Sequence, residues 1–423
     1  MTALASTHSG TLEAPTCRHC GAALEHTLVD LGLSPLANSY LRPEDLGREE
    51  AFYPLHARVC DTCLLVQVDD VVPADHIFNA NYAYFSSFSD AWLEHCSTYA
   101  DAMTARLGLG PESLVVEIAS NDGYLLQYFH RKGIQVLGVE PAANCAAEAE
   151  RKGVRTRIDF FSKALAQGLR AEGFAPALIC SANVLAHVPD INDFVGGVAA
   201  LLTGDAVYTV EFPHLLNMIE QVQFDTIYHE HYSYLSLVAI ERIFAGEGLR
   251  VFDVEQVSTH GGSLRVFACL AGSSRTEEPG VETVRALERA AKLDRPEGYE
   301  GYDARVRAVR EGLLAYLNEA KAAGRKVAAY GAAAKGNTLL NYCGIVGTDL
   351  IAYVVDRNPA KVDTLLPGSH IPVLPVDTLR TDRPDDILIL PWNVRDEVVR
   401  QLADVRALGT RFVTAVPKIE IIA

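Results

Sequence analysis

The sequence predicts an α/β protein with a small metal-binding domain at its N-terminus and two parallel-sheet domains after it. Three observations carry this. Two Cys-x-x-Cys knuckles lie at Cys17/Cys20 and Cys60/Cys63. A buried strand, tight loop and helix run on from Leu114. A second run of the same kind begins at Lys326. At 423 residues the chain exceeds one ordinary domain. The divisions we expect are 15–73, 74–275 and 276–423.

The knuckles come first. Each turn aims two thiolates to one side, and two such turns make the tetrahedral four-sulfur set that structural zinc prefers. We therefore expect zinc on Cys17, Cys20, Cys60 and Cys63, with no open coordination position and hence no catalytic role. A nucleic-acid finger is disfavoured, because Glu44, Asp45, Glu49 and Glu50 crowd the stretch between the knuckles. The other five cysteines (Cys96, Cys145, Cys180, Cys269 and Cys343) are scattered, and an odd total of 9 argues against a disulfide framework.

Composition narrows the classes. Hydrophobic content of 49% and charged content of 22% are ordinary for a globular protein. A net charge of −17 disfavours nucleic acid as a partner. No apolar run reaches the length of a membrane span, and no basic-then-apolar leader opens the chain. The expected home is cytoplasmic, with no membrane partner, as a monomer or weak homo-oligomer. Residues 1–14, rich in Thr, Ser and Ala, read as a disordered tail.

In the central part, Leu114 to Ile118 reads as a strand and Ala119-Ser120-Asn121-Asp122-Gly123 as its loop. A helix over 127–132 and a second strand ending at Glu140 follow. An acid ending the second strand is where a ribose diol is gripped in nucleotide-binding α/β folds. Strands over 177–180 and 207–212 continue the alternation, which gives a parallel sheet covered on both faces. A helix over 238–248, then strands over 249–257 and 263–269, close it as in a class I methyltransferase. A dinucleotide loop wants G-x-G-x-x-G, and here one Gly remains. An S-adenosylmethionine (SAM) site, led by an acid and free of pyrophosphate, suits Glu117, Ala119, Asn121 and Gly123 better. Asp159 and Phe160 are placed to hold the adenine by hydrogen bond and stacking.

Residues 272–310 are charged and Gly-broken and read as a linker and a helix. Lys326 to Asn337 then opens a Rossmann-like half with a degenerate Gly pattern, and Asp356 ends its second strand, expected over 351–355. Helix amides, Lys335 and Asn337 can cradle a diphosphate, or the domain is a scaffold without a ligand. Asn393, in Pro391-Trp392-Asn393, is expected to line the same cleft.

The densest chemistry lies between Thr226 and Tyr234, where Tyr228, His229, Glu230, His231, Tyr232 and Tyr234 stand together. Imidazole titrates near neutrality, and Tyr and Glu donate, accept or orient protons. Such a cluster suits proton removal from carbon. A metal on His-Glu-His is the competing reading. It is disfavoured because alternate residues of an extended loop point apart. Tyr84 and Tyr234 read as packing aromatics and His229 as a solvated or hydrogen-bonded neighbour. His260, in Thr259-His260-Gly261-Gly262, either shapes a substrate pocket or closes a strand pair.

Taken in order, these parts resemble the nucleotide-sugar C-methyltransferases, from Cys17 almost to the C-terminus. That resemblance implies a SAM-dependent enzyme of deoxysugar and antibiotic biosynthesis acting on an NDP-4-keto-6-deoxysugar. Its Tyr-x-Glu-His segment matches Tyr228-His229-Glu230-His231. Its early active-site Tyr falls on Tyr82, and its Asn-x-x-x-His segment on Asn183 and His187. The family usually has Gly where this chain has Ala119.

The implied reaction is removal of the C3 proton by His231, with Tyr228, Tyr82 or His187 at the developing C4 oxyanion and Glu230 holding neighbouring groups. The resulting enolate takes the methyl. Methylation at C5 is the alternative. A nicotinamide-dependent sugar oxidoreductase is disfavoured by the missing glycines, and a non-enzymatic zinc adaptor predicts no cofactor affinity.

Overall fold

The computed structural model describes residues 15–69 and 85–422. The tail 1–14, Tyr82 and Tyr84 lie outside the described residues.

The N-terminal strands are β1 (His26–Ser34), β2 (Tyr53–Val59) and β3 (Val66–Val68). The central part contributes β4 (Leu114–Ile118), β5 (Gln135–Val139), β6 (Thr156–Arg157), β7 (Leu178–Ala182), β8 (Val207–Pro213), β9 (Ser233–Tyr234), β10 (Leu249–Val257) and β11 (Ser263–Leu270). The C-terminal part adds β12 (Val327–Tyr330), β13 (Val354–Asp356), β14 (Val373–Pro375), β15 (Asp386–Ile389), β16 (Arg411–Thr414) and β17 (Glu420–Ile422).

The central sheet has the order β10-β11-β8-β7-β4-β5-β6 and is parallel except for β11, which runs against both neighbours. Val115, Val116, Ile179, Val207 and Val210 are fully buried, the apolar runs expected of strands covered on both faces. The strand order reverses beside β4, so the carboxyl ends of β4 and β7 face a common crevice. The C-terminal sheet, β14-β13-β12-β15-β16-β17, repeats the parallel plan and ends on antiparallel β17.

The first sheet departs from simple domain order. Its order is β1-β2-β3-β9, and β9 comes from the stretch after the His-Glu-His cluster. Val66 pairs with Tyr234 and Gln67 with Ser233. One buried apolar cluster then joins Leu28 and Val66 of this sheet to Ile219, Leu313, Leu317 and Ile371.

Two expectations are corrected. The 272–310 stretch holds a full helix, Pro279–Ala290, before a second one, Tyr302–Ala322. Pro279 sits in the first turn, where its missing N–H costs nothing. Gly280 is required by close approach, since a Cβ there would lie 2.3 Å from the Val254 carbonyl oxygen. The expected strand over 351–355 begins only at Val354.

Candidate active site and zinc centre

The four cysteine sulfurs lie within 4.8 Å of one another, with Cys17–Cys63 and Cys20–Cys60 each at 3.5 Å. A tetrahedron of zinc–sulfur bonds near 2.3 Å sets its sulfurs about 3.8 Å apart, so the quartet fits the ion. Both knuckles close alike. Gly21 and Leu64 take left-handed conformations and donate back to the Cys17 and Cys60 carbonyls at 2.9 and 2.7 Å. Gln67 Nε2 donates to Cys17 Sγ at 3.2 Å, and the Cys63 amide donates to Cys60 Sγ at 3.4 Å. Donors of this kind stabilise thiolate ligands. Among the described residues, no other group of three or more His, Cys, Asp or Glu converges in this way.

The loop after β4 alternates in hand. Ala119 (φ 56°), Asn121 (46°) and Gly123 (75°) are left-handed. Glu140 ties the loop down: Oε2 accepts from the Asn121 amide at 2.9 Å and Oε1 from the Ala142 amide at 2.8 Å. Each oxygen keeps a second lone pair for a ligand. Glu117 is fully buried beneath the loop. Burial pushes its carboxyl well above the usual range, with the Tyr124 hydroxyl opposing in part. At the end of β7, Asn183 is left-handed and donates its amide to the Glu211 carbonyl at 2.8 Å, while its buried Oδ1 has no hydrogen bond. Asp159 and Phe160 are exposed two and three residues past β6. An orphaned acceptor, a tethered acid and a left-handed loop at adjacent strand ends fit the polar parts of SAM.

The Tyr228–His231 segment is a tight turn rather than extended chain, with the His231 amide donating to the Tyr228 carbonyl at 2.9 Å. While His229 turns away to the Pro54 carbonyl, the Tyr228 and His231 side chains therefore converge. Their rings are 4.0 Å apart, and the Tyr228 hydroxyl lies 2.7 Å from His231 Nε2. His231 Nδ1 is 3.0 Å from the Thr226 carbonyl oxygen. A carbonyl only accepts, so Nδ1 carries the proton. Nε2 is then the basic atom and receives the Tyr228 hydroxyl.

His187 follows the same logic. Its Nδ1–H donates to the Glu230 carbonyl at 2.7 Å, and its ring meets that of His231 at 4.6 Å, edge to face. Burial holds His231 well below its ordinary value, and burial pulls His187 down to about 4. Both imidazoles are neutral at physiological pH.

The Glu230 carboxylate accepts from Asn38 Nδ2 at 2.8 and 3.0 Å, and burial raises its pKa. It makes no hydrogen bond to Tyr228 or His231. Buried His229 bonds the Pro54 carbonyl at 3.1 Å and stands outside the cluster, and Tyr234 is buried, as expected of packing.

The C-terminal domain supplies the facing wall. Lys335 Nζ donates to Asn393 Oδ1 at 3.1 Å and sits 4.7 Å over the Trp392 ring. Trp392 Nε1 donates to Asp225 Oδ2 at 2.7 Å. Burial pushes the Asp225 carboxyl up to about 6 against the pull of Lys335, whose own pKa burial lowers. His260 is left-handed (φ 56°), stands edge-on to Trp92 at 5.3 Å, and is held down to about 4 by burial. It lies near enough to His231 for their charges to interact. Asn337 is buried, but neither amide atom is hydrogen-bonded, so no bond joins it to this group.

Four participants escaped the sequence reading. Asn38 carries no motif. Asp225 stands one residue before the aromatic run. His95 and Arg265 brace Glu211 at 2.9 and 3.1 Å, and Thr259 donates to the same carboxylate at 2.8 Å. Their only signal is spatial.

Family profiles match a zinc binding domain over residues 17–78, a methyltransferase domain over 92–254, and a C-methyltransferase C-terminal domain over 258–417. The C-methyltransferase NovU of Streptomyces niveus is 34% identical over 407 residues, spanning 96% of each chain. This chain belongs to the C-methyltransferase family. The C-methyltransferase is also 26% identical over 157 residues to a ubiquinone biosynthesis O-methyltransferase of Rhodopseudomonas palustris, covering 31% of this chain and 60% of that one. Geranyl diphosphate C-methyltransferase of Streptomyces coelicolor matches at 14% identity and a TM-score of 0.33, over 48% of this chain and 99% of that one. The family profiles give a methyltransferase domain with a zinc-binding domain at its N-terminus. Among the described residues no helix is long and apolar enough to cross a membrane.

Proposed function

We propose that this C-methyltransferase acts on an NDP-4-keto-6-deoxysugar, removing the C3 proton and methylating the enolate. The observation that carries the reading is the chain Tyr228 hydroxyl–His231 Nε2, His231 Nδ1–Thr226 carbonyl, set beside neutral His187. Methylation at carbon needs a carbanion equivalent, and a C–H bond next to a ketone supplies one once a base is held against it. His231 is that base. Its proton-bearing Nδ1 is anchored, so Nε2 takes up the proton, directly or through the Tyr228 hydroxyl that touches it. Tyr82 and His260 are the candidates to stabilise charge on the C4 oxygen; neutral His187 spends its one N–H on the Glu230 carbonyl and keeps only an acceptor nitrogen.

SAM, when bound, supplies a sulfonium-activated methyl group. Ala119, Asn121, Gly123, Glu140 and Asn183 would hold it, with Glu117 bracing the loop from below and Asp159 and Phe160 at the adenine. Zinc would be held by Cys17, Cys20, Cys60 and Cys63 in a closed structural site. Lys335 and Asn393 would meet the nucleotide diphosphate. Asn337 is assigned to the same subsite, from the first turn of the helix Ala334–Tyr342.

Two observations disfavour a nicotinamide reading of the C-terminal half. A Cβ on Gly331 would lie 2.5 Å from Pro391, and one on Gly336 2.7 Å from Leu390. These glycines serve the protein's own packing. Incubating the protein with S-adenosylhomocysteine and a dTDP-4-keto-6-deoxysugar in heavy water tests the proposal. Deuterium should enter at C3. Exchange at C5 alone would move the chemistry to that carbon, and no exchange at either would overturn the sugar reading.

A further inference from the structure

Arg18 lies inside the first knuckle, between the ligands Cys17 and Cys20. Its amide donates to Gln67 Oε1 at 2.9 Å, and the same Gln67 donates to the Cys17 sulfur at 3.2 Å. Its guanidinium reaches away from the metal ligands. Nη1 donates to the Pro189 carbonyl at 2.9 Å and Nη2 to the Val68 carbonyl at 2.7 Å. The guanidinium carbon stands 5.2 Å from the centre of the Tyr232 ring. Pro189 is two residues past His187, and Tyr232 is one past His231. Val68 closes the loop, since its amide donates to the Tyr232 carbonyl at 3.1 Å.

A neighbouring contact repeats the connection. His19 Nδ1 lies 2.7 Å from Asn192 Oδ1, and Asn192 Nδ2 donates to the His19 carbonyl at 2.8 Å. One side chain in the metal turn is thus bonded to, or stacked on, both segments that carry the paired imidazoles. A planar five-donor fork can span two carbonyls at once; a lysine ammonium is a single point charge on a flexible stem.

We infer that Arg18 is a positioning residue that couples the zinc knuckle to the spacing of the His187 and His231 rings. This rests on the assignment of those histidines in the proposed function. The reason is geometric. Each ring is oriented by one backbone carbonyl, from Glu230 and Thr226, so a shift of either segment changes the ring-to-ring gap and the Nδ1–H bonds that set both tautomers. Zinc in the knuckle would then act on the reaction without touching substrate.

The test uses the full chain with S-adenosylhomocysteine bound and nitrogen-15 NMR of the imidazoles, assigned through single variants at His187 and His231. In Arg18→Ala and Arg18→Lys we expect one zinc per chain and cofactor affinity within about twofold of the parent. The His187 and His231 nitrogen signals should move from a fixed Nδ1–H tautomer toward a mixture. Turnover on a dTDP-4-keto-6-deoxysugar should fall about 10- to 100-fold in kcat with little change in KM, the size typical of lost outer-shell partners. A variant that loses only stability would not shift the tautomer signals of its folded fraction. Unmoved signals with zinc and cofactor affinity intact overturn the coupling.

Should Arg18→Ala shed its metal, the parent protein stripped of zinc carries the same readout, and unmoved signals there overturn it too. The NMR readout needs no sugar, so failure of the coupling is separable from failure of the sugar reading, which the deuterium experiment decides.

Discussion

Replacing Gly261 by alanine probes the joint between the central and C-terminal domains. Gly261 has φ +92°, and a Cβ there would lie 2.6 and 2.9 Å from Trp392 ring carbons and 3.0 Å from Gln223 Nε2. Placing an L-residue in this left-handed region costs about 1–2 kcal/mol. Relieving the overlap requires the indole to retreat by on the order of 1 Å, and overpacking of this kind costs about 1–3 kcal/mol. The sum, roughly 2–5 kcal/mol, is a large part of the total stability of about 5–15 kcal/mol usual for a domain.

The retreat also breaks the 2.7 Å bond from Trp392 to Asp225, whose other oxygen is already without a partner. The chain has 2 tryptophans, and both flank this turn: Trp92 against His260, Trp392 against Gly261. Tryptophan fluorescence during urea unfolding is therefore the assay. Gly261→Ala should emit at longer wavelength before unfolding and lose its native signal at lower urea. An unshifted native spectrum with an unchanged midpoint would refute the packing argument.

Further outcomes follow from the same geometry. His231→Asn should lose about 10²- to 10⁴-fold in turnover, the usual range for a general base, while calorimetry finds S-adenosylhomocysteine affinity unchanged. A base works unprotonated, and burial depresses the His231 pKa, so kcat/KM should stay flat from pH 8 down past the ordinary imidazole value of about 6.5 and fall only at lower pH; an acid limb at or above that value would contradict the neutral ring. Ala119→Gly relieves a left-handed alanine (φ 56°) and should stabilise the loop by about 0.5–1 kcal/mol in chemical denaturation, since Gly adopts this conformation freely. Asn38→Ala removes an exposed amide donor that water can replace and should lower stability in chemical denaturation by about 0.5–1.5 kcal/mol at neutral pH, a loss that shrinks as the pH falls and the raised Glu230 carboxyl takes up a proton.

Much of this was legible along the chain because periodicity and spacing are local. β10 was read to the residue, and β4, β8 and β11 to within one. The cysteine spacing anticipated a quartet that the fold closes to 4.8 Å. Glu140 was placed at its strand end, but its first task, holding the Asn121 and Ala142 amides, depends on a loop hand that composition does not reveal. The turn from Tyr228 to His231 was read as an extended loop because an aromatic, polar run gives no turn signal of the Gly, Pro or Asn kind. Asn38 reaches across 192 residues to Glu230 and Arg18 across 171 to Pro189, and a single sequence holds no trace of such contacts.

The pairing of β9 with β3 bears on synthesis. Val68 leaves the ribosome some 165 residues before Ser233, which at roughly 5–20 residues per second is a wait on the order of ten to thirty seconds. Throughout that interval the newborn sheet has an open edge at Val66 to Val68, three apolar-flanked residues with free backbone donors and acceptors. The nascent chain thus carries an edge open to sticking near its own beginning, and a chaperone that shields early-emerging strands should raise its yield.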